Sequence, residues 1–186
     1  MRIVKRILAG IVILVALAVI VAFFLPRHVN VSRSIEIEAP PSVIFPLVGD
    51  LRRTDEWSPW LESDPAVEIT FTGPTDGVGQ TMHWQSDNPN VGSGAQSITR
   101  LEPDSEVETA LDFGDQGMAT AIIELDPDET GTEVIWSFTT DLGFNPIARY
   151  FGLMFGEWIG GDYEKGLAKL KTVAEAEAAP EPTPNG

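Results

Sequence analysis

The apolar positions along this chain fall into three regimes with different periods. From Ile7 to Leu25 no side chain is charged or polar, and Gly10 is the only interruption. At 1.5 Å per residue this run spans roughly 28 Å, close to the ~30 Å hydrocarbon core of a bilayer. In lipid the segment has to be helical, because only internal hydrogen bonds satisfy its backbone there. Pro26 closes it. A signal peptide cut near Ala16-Leu17-Ala18 would leave Val19–Leu25 dangling in water, and a buried core helix would show a polar face. The pattern therefore predicts a retained, single-pass membrane anchor over Ile7–Leu25.

The second regime has period two. Val29–Glu38 alternates apolar and polar residues, as a half-buried strand does. Ala39-Pro40-Pro41-Ser42 breaks it; Ser42 is placed to cap a short helix through Val48, and Gly49-Asp50 to separate that from a second helix near Leu51–Trp57. Six further strands are predicted at Ala66–Thr72, Gln80–Ser86, Gly94–Leu101, Glu106–Phe113, Met118–Asp126 and Thr132–Thr140. Turn-forming clusters such as Gly73-Pro74, Pro103-Asp104 and Asp128-Glu129-Thr130-Gly131 divide them, which reads as an antiparallel meander.

In the third regime the period lengthens. From Pro146 to Ala176 the spacing of Phe151, Phe155, Trp158, Ile159, Tyr163, Leu167 and Leu170 fits one face of a long helix, with Pro146 in its first turn. The tail from Ala174 is rich in Ala, Glu and Pro and is expected to be disordered. The chain thus divides into an anchor (1–28), a folded α+β domain (29–175) and a tail (176–186). A curved seven-stranded antiparallel sheet has one apolar face to cover, and the long C-terminal helix is available to cover it. The gap between them is the expected ligand site.

Strand alternation assigns side chains to that gap. Val134, Trp136 and Phe138 share a face; Ala119, Ala121, Ile123 and Leu125 lie beside them, followed by Val107, Thr109, Leu111 and Phe113, then Gln96 and Ile98, then Met82 and Trp84. The candidate ligand-binding residues are Trp60, Trp84, Gln96, Leu111, Phe113, Ala121, Trp136, Phe155 and Ile159. Alternation turns His83 away from Met82 and Trp84, toward solvent. Trp57 and Trp60, around Ser58-Pro59, read first as a structural plug.

Charge narrows the partners. Arg2, Lys5, Arg6 and Arg27 make residues 1–28 net +4, leaving −20 on the remainder of a chain whose formal charge is −16. Such a domain is expected to repel nucleic acid and anionic lipid headgroups, and basic partners or neutral ligands suit it better. Three cations before the anchor against Arg27 and Arg33 after it favour a cytoplasmic N-terminus and an extracytoplasmic domain, as in a bacterial inner-membrane protein facing the periplasm. The absence of cysteine removes thiolate nucleophiles and Cys-ligated metals. No His/Asp/Glu set has metal-ligand spacing, no nucleophile elbow occurs, and Gly73–Gly79 lacks the Gly-Lys-Ser/Thr ending of a phosphate loop. No cofactor is expected.

The order of several segments resembles the START-like (SRPBCC) superfamily, and within it the polyketide cyclase/dehydrase and lipid transport branch. The carriers are Ser34–Pro40 before Val43-Ile44-Phe45, Trp57-Ser58-Pro59-Trp60, Gly92-Ser93-Gly94, Gly131–Phe138 and Lys165–Lys171. The resemblance covers Val29 to about Glu175. It implies a helix-grip fold with a hydrophobic cavity, but no particular reaction. A membrane-tethered binding domain for a hydrophobic small molecule or lipid is the leading reading. An enzyme of the cyclase/dehydratase type and a protein-interaction module, its partner unnamed, are the rivals.

Overall fold

The structure, a computed structural model, describes residues 2–60, 64–89 and 91–179. An N-terminal helix α1 (Arg2–Ala22) precedes strand β1 (His28–Ile37), helix α2 (Pro41–Val48) and a 3₁₀ segment, Leu51–Glu56. Strands β2 (Glu68–Thr72), β3 (Thr81–Gln85), β4 (Ser93–Glu102), β5 (Glu106–Asp112), β6 (Met118–Pro127) and β7 (Thr132–Asp141) follow, and α3 (Pro146–Ala178) ends the described fold. The strands form one antiparallel sheet in the order β1-β7-β6-β5-β4-β3-β2. It is the expected meander, with β1 returning to pair beside β7. A register shift between Ile98 and Arg100 makes a bulge in β4, and bulges of this kind bend and twist a sheet.

Local chemistry explains the boundaries. The α1 helix is 21 residues long, about 32 Å at 1.5 Å per residue. It begins before Ile7 and ends before Leu25, where Phe23, Phe24 and Leu25 tighten into i→i−3 turns. Helix α2 starts at Pro41, not after Ser42: its N-cap is Pro40, with no side-chain cap. Proline at the first helical position lacks the N–H a cap would satisfy and already has helical φ. Asp50 does act as a cap, its carboxylate accepting from the Arg52 N–H at 2.9 Å, but the segment it starts is 3₁₀ instead of α. Asn145 caps α3 by accepting from the N–H groups of Ile147 and Ala148, with Pro146 next in line.

Helix α3 also outruns the expected start of the disordered tail. It continues through Ala178 because Ala174 is fully buried and two ion pairs hold the last turns, Lys171–Glu175 and Arg53–Glu177. Glu175 further accepts from the Glu38 N–H at 2.9 Å. Residues 180–186 lie outside the described residues.

The core lies between the concave sheet face and the helices α2 and α3. Tyr163, Leu167, Leu170 and Ala174 of α3 meet Trp136, Phe138, Val134 and Val31 of the sheet, with Ile44, Leu47 and Val48 of α2 alongside. Close approach depends on glycine. A Cβ on Gly166 would sit 2.8 Å from the Trp136 ring and 3.1 Å from Pro59, and one on Gly152 would sit 2.5 Å from Leu142. One expectation fails here. Phe151 and Trp158, assigned with Phe155 and Tyr163 to a single buried face, are each half exposed. The helix is apolar on two sides in its first half, so spacing alone could not tell inner from outer positions.

Candidate functional site

The site begins with strand pairing. Thr109 sits opposite Ala121 and Ile98, Ala121 opposite Phe138, and Ile123 opposite Trp136 and Val107. These positions share the concave face, as alternation requires. Where two small residues, Thr109 and Ala121, meet, the sheet cannot fill the space above itself. A cavity of about 20 Å³ remains.

The sheet contributes Gln96, Val107, Thr109, Ala121, Ile123 and Trp136 to its wall, and the roof is Val48, Leu51, Thr54 and Trp57. The roof belongs to α2 and the 3₁₀ segment, with no α3 side chain in the lining. The space is therefore offset from the sheet–α3 gap where it was expected. That gap is closed by aromatic packing: Trp136 stacks on Tyr163 at 3.8 Å between ring centroids, and Phe138 meets Phe155 edge-on at 6.5 Å. Burial pushes the Tyr163 phenol above its ordinary pKa, so it stays neutral.

Polar chemistry inside the cavity is sparse. Gln96 Nε2 donates to Thr109 Oγ1 at 3.2 Å, and the Thr109 hydroxyl donates to the Ala121 carbonyl at a long 3.4 Å. Among the described residues no acid, base or thiol lines it. His83 exchanges a hydrogen bond with Thr72 at 2.9 Å and is not among the lining residues. The roof is anchored by two buried polar ties. Trp57 Nε1 donates to the Leu47 carbonyl at 2.9 Å. Gln80, fully buried, accepts from the Leu51 N–H at 2.8 Å and donates to Asp50 and to the Thr75 carbonyl at 2.7 Å each.

The expected ligand residues fall into three groups. Gln96, Ala121 and Trp136 meet at the cavity. Trp60 is not among the lining residues; 38% exposed, it stands edge-on to Trp136 at 5.5 Å and to Tyr163 at 5.9 Å. Trp84 and Phe113 pack on each other at 6.0 Å, while Leu111, Phe155 and Ile159 pack against the main core. The roof residues Leu51 and Thr54 escaped sequence reasoning. Their spacing in a short 3₁₀ segment gives neither the helical nor the strand period.

A second hollow, about 420 Å³, lies by β2 and β3, lined by Asp64, Ala66, Glu68, Gln85, Ser86, Asp87 and Asn88. Its walls are polar and acidic, unsuited to an apolar ligand. The Asp64 carboxyl is held below its ordinary pKa by hydrogen bonds from Ser86 and the Ala66 N–H. No group of three or more His, Cys, Asp or Glu side chains among the described residues could hold a metal ion.

A seven-stranded antiparallel sheet curved around a long C-terminal helix, with a small apolar cavity on its concave face, defines the START-like helix-grip class. The chain belongs to the polyketide cyclase/dehydrase and lipid transport family, whose sequence model matches residues 28–175. Solved structures agree on the fold. A protein of unknown function, SA2116, from Staphylococcus aureus is similar with a TM-score of 0.62 at 15% identity, over 81% of this chain and 95% of that one. A protein from Thermobifida fusca is similar with a TM-score of 0.62 at 17% identity, over 79% and 93%. The di-domain ARO/CYC StfQ of the steffimycin biosynthetic pathway gives 0.61 at 14%, over 81% of this chain and 52% of its own. No curated protein matches by sequence.

Proposed function

We propose that this chain binds a hydrophobic small molecule or a lipid in the interior roofed by α2 and the 3₁₀ segment, while α1 tethers it to a membrane. The observation that carries the reading is the apolar cavity around Ala121, Thr109 and Trp136. Family membership supports it. As folded, the space is about 20 Å³, and one water-sized probe occupies ~10–15 Å³. Ligand entry therefore requires the roof to move. Trp57 of that roof and Trp60 close to it in sequence both stand edge-on to Trp136, and we take Trp57 as the roof residue that swings aside. Breaking the Trp57–Leu47 hydrogen bond costs about 0.5–1.5 kcal/mol net. Each ligand methylene buried in exchange contributes about 0.8 kcal/mol. A few methylenes offset the loss of that bond, so an acyl or polycyclic ligand is the class this interior suits.

The tether reading rests on α1, which is long and apolar enough to cross a bilayer and is not buried against the domain. Arg2, Lys5 and Arg6 in its first turns, ahead of the apolar run from Ile7, favour a cytoplasmic N-terminus and an extracytoplasmic domain. The enzyme reading has to find a general acid or base, and the lining supplies only Gln96 and the hydroxyls of Thr54 and Thr109. The interaction-module reading draws on exposed apolar residues of α3, Ile147, Phe151, Leu153 and Trp158 among them.

Native mass spectrometry of the full chain released from its membrane tests the binding reading. The expected result is a stoichiometric hydrophobic adduct, reduced when Ala121→Leu fills the cavity and when the smaller Ala121→Val narrows it. A chain that is folded, carries no adduct and binds no added hydrophobic probe contradicts it.

A further inference from the structure

The first four turns of α3 are built the wrong way round for a helix on a water-soluble domain. Ile147, Tyr150, Phe151, Met154 and Trp158 fall at i, i+3, i+4, i+7 and i+11, one face of a helix. That face points outward: Ile147 is 66% exposed and Phe151 and Trp158 are 50% each. Leu153 on its flank and Phe144 just before the helix are exposed as well. Charge divides along the helix in the same way. Residues 146–161 hold only Arg149 and Glu157, whereas 162–178 hold Asp162, Glu164, Lys165, Lys169, Lys171, Glu175 and Glu177.

Two contacts fix where this apolar half lies. Tyr150 donates its hydroxyl proton to the carbonyl of Ala18 at 2.8 Å. Arg149, 6% exposed, donates to the carbonyls of Ala22 at 3.4 Å and Phe23 at 3.2 Å, and to Gly143 at 2.7 Å. A cation on the last carbonyls of α1 is the favourable end for a helix C-terminus. Ala18 lies one turn, about 6 Å, inside the end of α1. A bilayer that covers α1 to its end therefore reaches the first turns of α3. The exposed surface of α1 and the exposed face of α3 then form one continuous apolar surface.

We propose that the outer face of α3, from Phe144 to Trp158, is a bilayer-docking surface that lies in the headgroup–acyl boundary beside α1. Tyr150 and Trp158 are the residue types that favour this depth, and an in-plane helix buries its apolar face ~5–10 Å into it. Docking fixes the domain's orientation on the membrane, where a tether alone would leave it free to swing. The inference rests on α1 being a membrane anchor, and the test separates the two.

The chain has no cysteine, so single-cysteine variants need no background removal. An environment-sensitive fluorophore is placed at Phe151→Cys, Trp158→Cys, Val15→Cys on α1, and Glu129→Cys in the β6–β7 turn at the far end of the sheet. The full chain is reconstituted in phosphatidylcholine vesicles carrying nitroxide-labelled lipid. The expected result is several-fold lipid quenching at positions 151 and 158, as at 15, and none at 129. Quenching at 15 with 151 and 158 behaving like 129 overturns docking and leaves the anchor standing. No quenching at any position overturns the anchor and docking together. Efficient disulfide pairing of two copies through position 158 without lipid quenching assigns the face to self-association and also overturns docking.

Discussion

At the scale of single residues, the strongest constraint is Gln80. It is fully buried among the ends of the 3₁₀ segment and β3, with three partners satisfied. Replacing it by leucine preserves bulk but strands the Leu51 N–H, at a cost of about 1–3 kcal/mol. Gln80→Leu is expected to lower the urea midpoint of unfolding by a corresponding amount and to loosen the cavity roof first. Asp141 makes a pH-dependent counterpart. Its carboxyl is held well below the ordinary aspartate range, chiefly by the Arg27 side chain and then by the Gly143 N–H. A depressed pKa means this tie is complete above the unfolded-state pKa of about 4 and is lost only as pH falls through the lower folded value. Amide exchange at Leu142 and Gly143 is expected to stay slow from neutral pH down past 4 and to accelerate at neutral pH in Asp141→Asn. Equal exchange in the two proteins would show the Arg27–Asp141 pair to be idle.

At the scale of elements, α3 does two jobs with two halves. Its second half grips the sheet, and Gly166 sets the approach distance to Trp136. Gly166→Val is expected to destabilise the domain by about 1–3 kcal/mol through overpacking, read as a lower thermal midpoint. Its first half meets α1 through Arg149. Spin labels on Leu14→Cys and Glu157→Cys are expected to give one narrow distance, broadened when Arg149→Met removes the donor to Ala22 and Phe23, and partly restored by Arg149→Lys. The element-level pattern was largely legible in the sequence. Each strand lies where period two placed it, because sheet alternation with one buried face leaves a strong signal. The inner and outer faces of α3 were not legible. Phe151 and Phe155 are equally apolar, and only tertiary packing, such as that of Phe155 on Phe138 of β7, decides which turns inward. Nor was the cavity's position: it depends on how the 3₁₀ segment folds over Ala121 and Thr109, a tertiary arrangement with no period of its own.

At the scale of the whole molecule, apolar surface and acidity are segregated. The −20 remainder carries its carboxylates along solvent-facing strand positions and turns such as Asp128-Glu129, while α1 from Ile7 onward has no charged residue and the first half of α3 only Arg149 and Glu157. With α1 as the proposed anchor, this segregation would set a folded domain with an apolar interior against the phase in which apolar ligands concentrate. The measurement that addresses this most directly is photo-crosslinking of the full chain in membranes with a diazirine-bearing fatty acid, followed by peptide mapping. The expected result is two sets of labelled peptides: a surface set from α1 and the outer face of α3, and an interior set containing Gln96, Ala121 and Trp136, abolished by Ala121→Leu. Label confined to the surface set, with the inner face of the sheet untouched in the native chain, would contradict interior ligand binding.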